Sequence, residues 1–318
     1  MKKILLFSLC LLLTNFIGQN LFAGKHRVNN NPEFNAEFTD IQTAIDAASA
    51  GDTLYIEGSL TIYESDSIFI NTPLMLFGPG YFLEENDSTY ANKLSAQIQA
   101  KFVFKPGSSG SQLSGFYFYY GEIIVQSNDL TISRNYLDAN IILYSQASQI
   151  YISQNIWTWG GLSFDYSNVV SANIFFLNNI FYENVGSILI SDNSIGFIEN
   201  NVYLGVSGIG VSNSTIRNNI IVGGIYVGNN TVSNNFEYIT LEDFFLMTGS
   251  TDGQYRLKPG SPAIGAGYDG TDCGAYGGAQ PYVLSGLPPI PHIYEAYIDV
   301  IGTNEDGLQV QIKAKTQN

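Results

Sequence analysis

Along the middle of the chain, an apolar residue, two further residues, an asparagine and a second apolar residue recur at intervals of 16 to 24 residues. A second short apolar segment accompanies each unit, and a turn rich in Ser, Asp and Asn usually follows it. This period is too short for a pair of helices and suits one coil of short strands. Stacked coils pair their strands in parallel about 4.8 Å apart and bury apolar residues against their neighbours. The pattern therefore predicts an all-β solenoid of about eight to ten coils.

The asparagine of each repeat has a predicted structural role. Its side-chain amide both donates and accepts hydrogen bonds, so identical residues in successive coils can bond to one another along the stack. Asparagine also tolerates the left-handed backbone conformation that a sharp corner requires. The leucine spacing of leucine-rich repeats, the competing solenoid, is absent. We expect a ladder formed by Asn135, Asn155, Asn179, Asn201, Asn219 and Asn235.

Both ends of the coil region have patterns of their own. Before the coils, apolar residues recur at helical spacing and Thr39 with Gln42 fits a capping box, which predicts a short helix that caps the core. After the coils, a Pro-rich connector leads to alternating strands, which predict a hairpin packed on the side of the solenoid. The predicted division is a signal peptide at 1–23, a β-helix domain at 24–285 (cap helix at about 39–49, regular coils at about 52–238, end segment at about 239–285), and the connector with its hairpin at 286–318.

The first residues are typical of a secretory signal peptide. Lys2 and Lys3 precede an apolar run over residues 4–13, and a polar stretch then leads to Ala23. The run is shorter than the about 20 residues that a membrane span needs, and no other segment is apolar and long enough to span a bilayer. We therefore expect cleavage after about Ala23 and a secreted or extracytoplasmic location (cell surface, periplasm or outside the cell). Cys273 is then the one remaining cysteine, which excludes an internal disulfide.

Three stretches of the sequence resemble one family. Residues 41–58 (IQTAIDAASAGDTLYIEG) resemble the amino-terminal opening of pectin-lyase-like proteins, which are right-handed parallel β-helices, and the Asn-Asn-apolar coils resemble their central repeats. Residues 257–267 with 272–278 resemble the end-of-helix segment of many secreted bacterial members. The resemblance covers about residues 36–284 and implies an all-β, right-handed parallel β-helix. It is not specific for an activity, because this fold serves lyases, hydrolases, tailspikes and adhesins.

The resemblance also implies catalytic motifs. Pectin hydrolases of this fold are expected to carry Asn-x-Asp, Asp-Asp and Gly-His-Gly, which the coils lack, and His26 and His292 lie outside the coils. Pectate lyases are expected to use Asp- or Glu-bound calcium and an Arg or Lys that removes a proton. Arg217 shares its repeat position with Glu199 one coil earlier, so we expect the two side by side. They are weak catalytic candidates for a lyase, and we favour an exposed ion pair.

The composition limits the classes of molecule that the protein can bind. Lys+Arg total 13 against 28 Asp+Glu, which gives a formal net charge of −15, and Arg134 and Arg217 are the two cations between positions 128 and 235. Nucleic acid is excluded as a partner, because phosphate contacts need clustered cations, and a basic membrane-binding face is excluded likewise. The scarcity of Lys and Arg also favours a neutral sugar over an acidic polysaccharide as the ligand, unless calcium bridges the acidic polysaccharide and the acidic protein. We expect no cofactor, except calcium if the protein is a lyase, and no zinc site.

Aromatic residues suggest a contact with carbohydrate. Trp157, Phe181 and Tyr203 each lie two residues after a ladder asparagine, so stacking aligns them in one stripe. An outward stripe could stack against sugar rings, whereas an inward stripe is core, which we favour. Trp159 and residues 117–120 add aromatic density nearby.

The sequence thus leads to three functional hypotheses. The favoured one is a secreted β-helix protein that contacts polysaccharide without a recognisable catalytic set. The alternatives are a calcium-dependent polysaccharide lyase of the pectate-lyase type and a purely structural or adhesive solenoid. We lean against an enzyme, and an enzyme would be a polysaccharide lyase or a glycoside hydrolase.

Overall fold

The computed structural model describes residues 23–164, 172–182, 193–205, 209, 211–299, 301–302 and 307–316. The predicted signal peptide up to residue 22 lies outside the described residues. So do two features predicted for the repeat units, a Ser- and Asn-containing turn at Ser167 and Asn168 and a second apolar strand at 188–190. The helices are α1 (Ile41–Ala47) and α2 (Leu241–Phe244), with 3₁₀ turns at Pro32–Phe34, Gly253–Tyr255 and Leu284–Gly286. The strands are β1 (Lys25–Val28), β2 (Thr53–Ile56), β3 (Tyr63–Ile70), β4 (Met75–Phe77), β5 (Gln97–Phe104), β6 (Gln112–Ser114), β7 (Tyr117–Val125), β8 (Asn128–Ser133), β9 (Tyr136–Leu143), β10 (Ser148–Ser153), β11 (Ile156–Trp159), β12 (Leu162–Phe164), β13 (Asn173–Leu177), β14 (Ile180–Phe181), β15 (Ile195–Glu199), β16 (Val202–Tyr203), β17 (Ser214–Arg217), β18 (Ile220–Ile221), β19 (Thr231–Ser233), β20 (His292–Ile298) and β21 (Val310–Lys315).

Most of these strands form two long parallel sheets. The first sheet has ten strands in the order β1-β2-β4-β6-β8-β10-β13-β15-β17-β19. The second has nine, in the order β18-β16-β14-β11-β9-β7-β5-β3 with β12 beside β9. A chain that passes alternately through two parallel sheets is a parallel β-solenoid, which confirms the predicted all-β solenoid. The described strands make about seven turns, fewer than the eight to ten predicted.

Every second side chain along a strand points into the space between the two sheets and helps to fill it. On β10, Ile150 and Ile152 are fully buried, whereas Tyr151 between them faces outward. The parallel register places Ile132, Ile152 and Phe176 beside one another in successive coils. Equivalent residues therefore stack into inward columns that form the main apolar core, and burial of this apolar surface stabilises the fold by roughly 25 cal/mol per Å².

The corner between the sheets depends on the residue before each ladder asparagine. Asn178 follows β13 with a φ of 56°, and Asn179 then begins the passage to β14. The left-handed conformation expected at the corner is therefore present, but the neighbour of the ladder asparagine adopts it. The same position in the six coils is held by Arg134, Gln154, Asn178, Asn200, Asn218 and Asn234, all with positive φ.

Helix α1 packs against the first three strands. Its N-cap is Asp40, whose side chain accepts a hydrogen bond of 2.7 Å from the backbone N–H of Thr43. Thr39, the expected cap, lies one residue too early because the helix begins at Ile41. No helix in the described part of the chain is both long enough and apolar enough to cross a membrane. The face of α1 that joins the main core consists of Ile41, Ala44 and Ile45.

Residues 261–288, which we call the return segment, run back along the corner toward the first coils. Four side chains at the left-handed positions donate hydrogen bonds to its carbonyls: Asn234 to Ala266 (3.0 Å), Asn178 to Gly277 (2.8 Å), Gln154 to Gln280 (3.1 Å) and Arg134 to Leu287 (2.9 Å). A second apolar cluster lies between this part of the chain and the coils. From the coils it contains the residues that follow ladder asparagines, namely Ile156, Ile180, Val202 and Ile220.

Strands β20 and β21 form the predicted antiparallel hairpin. The prediction that it packs on the side of the solenoid is wrong, because all its residues except His292 are exposed or half-buried. Its base is attached to the body, where the backbone N–H of Ala91 donates a 2.8 Å hydrogen bond to the carbonyl of Ile293. The alternating apolar residues of β21 face solvent in the described structure.

Candidate functional site

The ladder asparagines form a continuous hydrogen-bonded chain inside the corner. In each of the first five, the side-chain Nδ2 donates to Oδ1 of the next asparagine at 2.9–3.1 Å, and the backbone N–H donates to the same oxygen at 2.9–3.0 Å. Asn135 at the first end accepts a further hydrogen bond from the backbone N–H of Phe116. These amides are used internally, so the ladder is a structural element and not a ligand site.

The aromatic stripe at Trp157, Phe181 and Tyr203 lies in the core. The three side chains are at most 5% exposed. Their rings stack on one another, with centroids 5.6 Å apart for Trp157 and Phe181 and 4.6 Å apart for Phe181 and Tyr203. The residue directly after the ladder asparagine points outward into the second apolar cluster, and alternation then turns the next residue inward. These rings have no free face for a sugar.

Arg217 and Glu199 are direct neighbours on β17 and β15. Their closest charged atoms, Nε of Arg217 and Oε1 of Glu199, are 2.9 Å apart, and a terminal guanidinium nitrogen donates to Oε2 at 3.1 Å. The guanidinium carbon also lies 4.8 Å from the ring centroid of Tyr268 in the return segment. The ion pair is partly buried rather than exposed, and it connects the return segment to the first sheet through Tyr268.

A groove with a volume of about 380 Å³ crosses the second sheet on its outer face. It follows a line of β-bulges, each with one extra residue, at residues 65–66 of β3, Tyr119 of β7 and Thr158 of β11. Bulges bend a strand and re-aim its side chains, which is why they often border functional sites. We call this feature the aromatic groove, and its lining consists of Ser65, Asp66, Gln99, Ala100, Lys101, Tyr120, Gly121, Glu122, Asn140 and Trp159.

Two exposed aromatic side chains stand at one end of the aromatic groove. Tyr120 is 62% exposed and Trp159 is 47% exposed. Their rings are nearly parallel, with centroids 6.5 Å apart and an interplanar angle of 30°. Large rings that remain exposed in a stacked arrangement offer apolar faces to a ligand.

Polar groups line the rest of the aromatic groove. Nζ of Lys101 and Oε2 of Glu122 form an ion pair of 2.8 Å between neighbouring strands, and the pairing raises the pKa of Lys101. Asp66 adds a second carboxylate, and Gln99 and Asn140 add amides that both donate and accept hydrogen bonds. The charged residues of the lining therefore carry one net negative charge at neutral pH.

Two glycines allow the backbone to pack closely beside the aromatic groove. A Cβ atom on Gly160 would lie 2.2 Å from the carbonyl oxygen of Ala139, and Gly160 has a φ of 83°. A Cβ atom on Gly121 would lie 2.2 Å from the carbonyl oxygen of Ala100. No larger residue fits at either position without a backbone shift, so the glycines maintain the bulged geometry that presents Trp159 and Tyr120.

Asp138 lies on β9 at the place where β7 and β11 bulge, opposite Trp159 in the register. Burial raises the pKa of its carboxyl above the ordinary value. Burial also raises the pKa of neighbouring Tyr117 to about 12, with the charge of Asp138 contributing. Asp138 and Tyr117, which are not part of the groove lining, thus combine a partly desolvated carboxyl with a protonated phenol.

The sequence indicated aromatic density at Trp159 and residues 117–120 without assigning these residues to a site. The available signal was the break in alternation at Tyr119, Tyr120 and Gly121, where two aromatics precede a glycine. A second outward group was missed entirely: Tyr151, Phe175 and Phe197 stack on the outer face of the first sheet, with successive centroids 4.5 and 5.0 Å apart. All three lie four residues before a ladder asparagine, between two inward-facing positions of their strand. This shared position could have predicted that they face outward together.

No protein-family model matches this chain, and no curated protein matches it. Within the described residues, no group of three or more His, Cys, Asp or Glu side chains is arranged to hold a metal ion.

Proposed function

We propose that this protein is a right-handed parallel β-helix of the pectin-lyase-like type, exported by its signal peptide, that binds a carbohydrate chain in the aromatic groove. Helix α1 would cap the N-terminal end of the coils. The observation that carries the binding proposal is the exposed, stacked pair Tyr120 and Trp159 beside a row of polar side chains. A calcium-dependent lyase and a purely structural solenoid remain as outcomes of the test below.

The chemistry of the lining suits a sugar. The faces of a pyranose ring carry C–H groups that pack against an aromatic ring, and its rim carries hydroxyls that hydrogen-bond to amides and carboxylates. Trp159 and Tyr120 supply the first kind of contact, and Gln99, Asn140 and Asp66 supply the second. Both kinds occur in one groove, as a ligand with apolar faces and a polar rim requires.

The length and charge of the aromatic groove refine the proposal. It crosses five neighbouring strands, β3, β5, β7, β9 and β11, which corresponds to roughly 19 Å at the usual strand spacing. That length exceeds one sugar ring, so the ligand is an oligosaccharide or part of a polysaccharide. Lys101 is paired with Glu122, and Asp66 leaves the lining net negative, so a neutral sugar is favoured over a uronate.

The test is a glycan array with the full chain, followed by calorimetric titration of the best neutral oligosaccharide. Trp159→Ala is expected to weaken binding about tenfold or more, because it removes one stacking face. Tyr226→Ala is the matched control, since Tyr226 is 63% exposed and lies outside the groove. It should bind like the parent protein, and both variants should unfold at the parent temperature.

Two results would overturn the proposal. If the array shows no ligand, the structural or adhesive interpretation replaces it. If Trp159→Ala and Tyr226→Ala bind equally well, the aromatic groove is not the carbohydrate site. The second result is catalytic: polygalacturonate, alginate and related uronates are incubated with the protein and calcium. An increase in ultraviolet absorbance from unsaturated product, abolished in Arg217→Ala, would identify a lyase instead.

A further inference from the structure

A second cavity lies on the other sheet, at the N-terminal end of the solenoid. Its volume is about 620 Å³, and none of its lining residues belongs to the aromatic groove. The floor is the outer face of β1, β2 and β4. The roof is formed by the segment that follows β4, with Tyr90 and Leu94, and by the connector at Ile290 and Pro291. A cavity of this size accommodates a small organic molecule.

The floor and roof of this cavity are aromatic and apolar. Tyr55 and Phe77 are direct neighbours in the sheet, and their rings stack with centroids 6.3 Å apart and an interplanar angle of 30°. Across the cavity, the ring of Tyr90 lies 5.0 Å from that of His292, which is buried at the base of the hairpin. The roof therefore contacts the buried base of the hairpin.

One edge of the cavity is positively charged in a protein that is otherwise acidic. Lys25 and Arg27 alternate on β1, so both project from its outer face into the lining. Arg27 is paired with Glu57, with 2.5 Å between Nε and Oε1. Lys25 has no acidic partner among the described residues, so a cation is left available beside an apolar cavity.

We propose that this cavity binds a small aromatic carboxylate, with its ring between the Tyr55–Phe77 floor and Tyr90 and its carboxylate beside Lys25. The ring matches the stacked aromatic walls, and the charge matches the unpaired ammonium. Burial raises the pKa of Tyr90 to about 12, so its hydroxyl stays protonated and can donate a hydrogen bond. This site is independent of the carbohydrate groove, because the two lie on different sheets.

The experiment is a calorimetric titration of the full chain with 2-naphthoate and with its neutral analogue 2-naphthalenemethanol. Naphthoate is expected to bind about tenfold more tightly than the alcohol, because its carboxylate forms a charge-assisted hydrogen bond. Lys25→Gln should remove that preference while leaving the alcohol affinity unchanged. Lys105→Gln, a lysine outside the cavity, should leave both affinities unchanged.

A second variant tests the location of the ring. Leu94→Trp places a larger side chain in the roof and should weaken both ligands at least tenfold without changing carbohydrate binding in the aromatic groove. Absence of binding, equal affinities for naphthoate and alcohol, or an unchanged preference in Lys25→Gln would each overturn the proposal. Lys25 is exposed, so its variant stays informative even if Leu94→Trp fails to fold. Loss of carbohydrate binding in the Trp159→Ala variant would leave this result unaffected.

Discussion

The asparagine corner and the aromatic groove are built by the same coils according to opposite rules. At the corner, the same residue type occupies the same position in six successive coils, and each side chain bonds to its equivalent in the next. In the groove, β3, β7 and β11 each contain an extra residue that breaks the alternation, and the lining side chains differ from coil to coil. Regular positions stabilise the stack, whereas the irregular ones provide varied chemistry.

The difference follows from how a solenoid uses its side chains. A buried polar residue in a stack must satisfy the polar groups of the coils on either side, and an identical amide does so in every coil. An outward residue beside a bulge has no such requirement, because solvent satisfies it. The structural and functional parts of this chain can therefore be separated by mutations that affect one and leave the other unchanged.

Replacement of a central ladder residue should have the largest effect. In Asn179→Ala, the backbone N–H and Nδ2 of Asn155 lose their acceptor, and the carbonyl of Ile152 loses its donor. These groups are buried, so we expect the free energy of unfolding to fall by about 3–5 kcal/mol. Urea denaturation followed by circular dichroism measures the change.

The end of the ladder provides the control. Asn235 is half-buried, so water can replace the hydrogen bonds lost in Asn235→Ala, and we expect a decrease of only about 1 kcal/mol. Equal losses at the two positions would contradict the view that the ladder acts through buried, mutually satisfied amides.

The ladder could be predicted from the sequence because stacking repeats one requirement in every coil. A residue that must bond to the same residue type in the next coil recurs once per coil. The spacing of the six asparagines therefore predicted the ladder. The second apolar cluster could not be predicted in the same way. Residues such as Ile156 and Ile180 look like core residues, and only the path of the return segment shows that they face outward under a covering layer.

Replacement of a glycine beside the groove should have an intermediate effect. In Gly160→Ala, the new Cβ atom overlaps the carbonyl oxygen of Ala139 and the residue keeps a positive φ, so we expect a loss of roughly 3 kcal/mol. Gly110→Ala separates the two causes, because Gly110 has a φ of 86° but open space around it, and should lose about 1 kcal/mol. Thermal unfolding measures both.

The same pair of variants connects the backbone to ligand binding. Gly160 follows Trp159 directly, so the shift forced by Gly160→Ala should also weaken binding of the neutral oligosaccharide, whereas Gly110→Ala should leave it unchanged. If Gly160→Ala loses stability but binds normally, the bulge does not position the groove.

The groove was harder to predict than the ladder for a physical reason. A bulge adds one residue to one strand and leaves the apolar pattern on either side almost intact. The break in alternation at Tyr119, Tyr120 and Gly121 can therefore indicate an irregular strand, but not that Tyr120 and Trp159 lie together beside a groove. The hairpin shows a related limit: its alternation predicts which side chains share a face, but not whether another layer covers that face. Both depend on contacts between distant segments.

The effect of pH should be the smallest, and it should arise away from the uncharged ladder. Nδ1 of His26 lies 3.0 Å from Oε2 of Glu37, and Nε2 lies 3.4 Å from Oδ2 of Asp52. Burial alone would lower the pKa of His26, but the hydrogen bonds and charges of the two carboxylates outweigh it and raise the pKa above 6.5. Such a group stabilises the fold fully below pH 6.5, and its contribution is lost as the pH rises through the higher folded-state value.

We therefore expect the free energy of unfolding to decrease by less than about 1 kcal/mol as the pH rises from slightly acidic to slightly alkaline values. Urea titrations across this range measure it, and His26→Gln should remove the slope because the titrating group is gone. The Asn179→Ala protein should keep the slope of the parent, since the ladder contains no titrating group. A slope that persists in His26→Gln, or disappears in Asn179→Ala, would contradict the assignment of pH dependence to the N-terminal end.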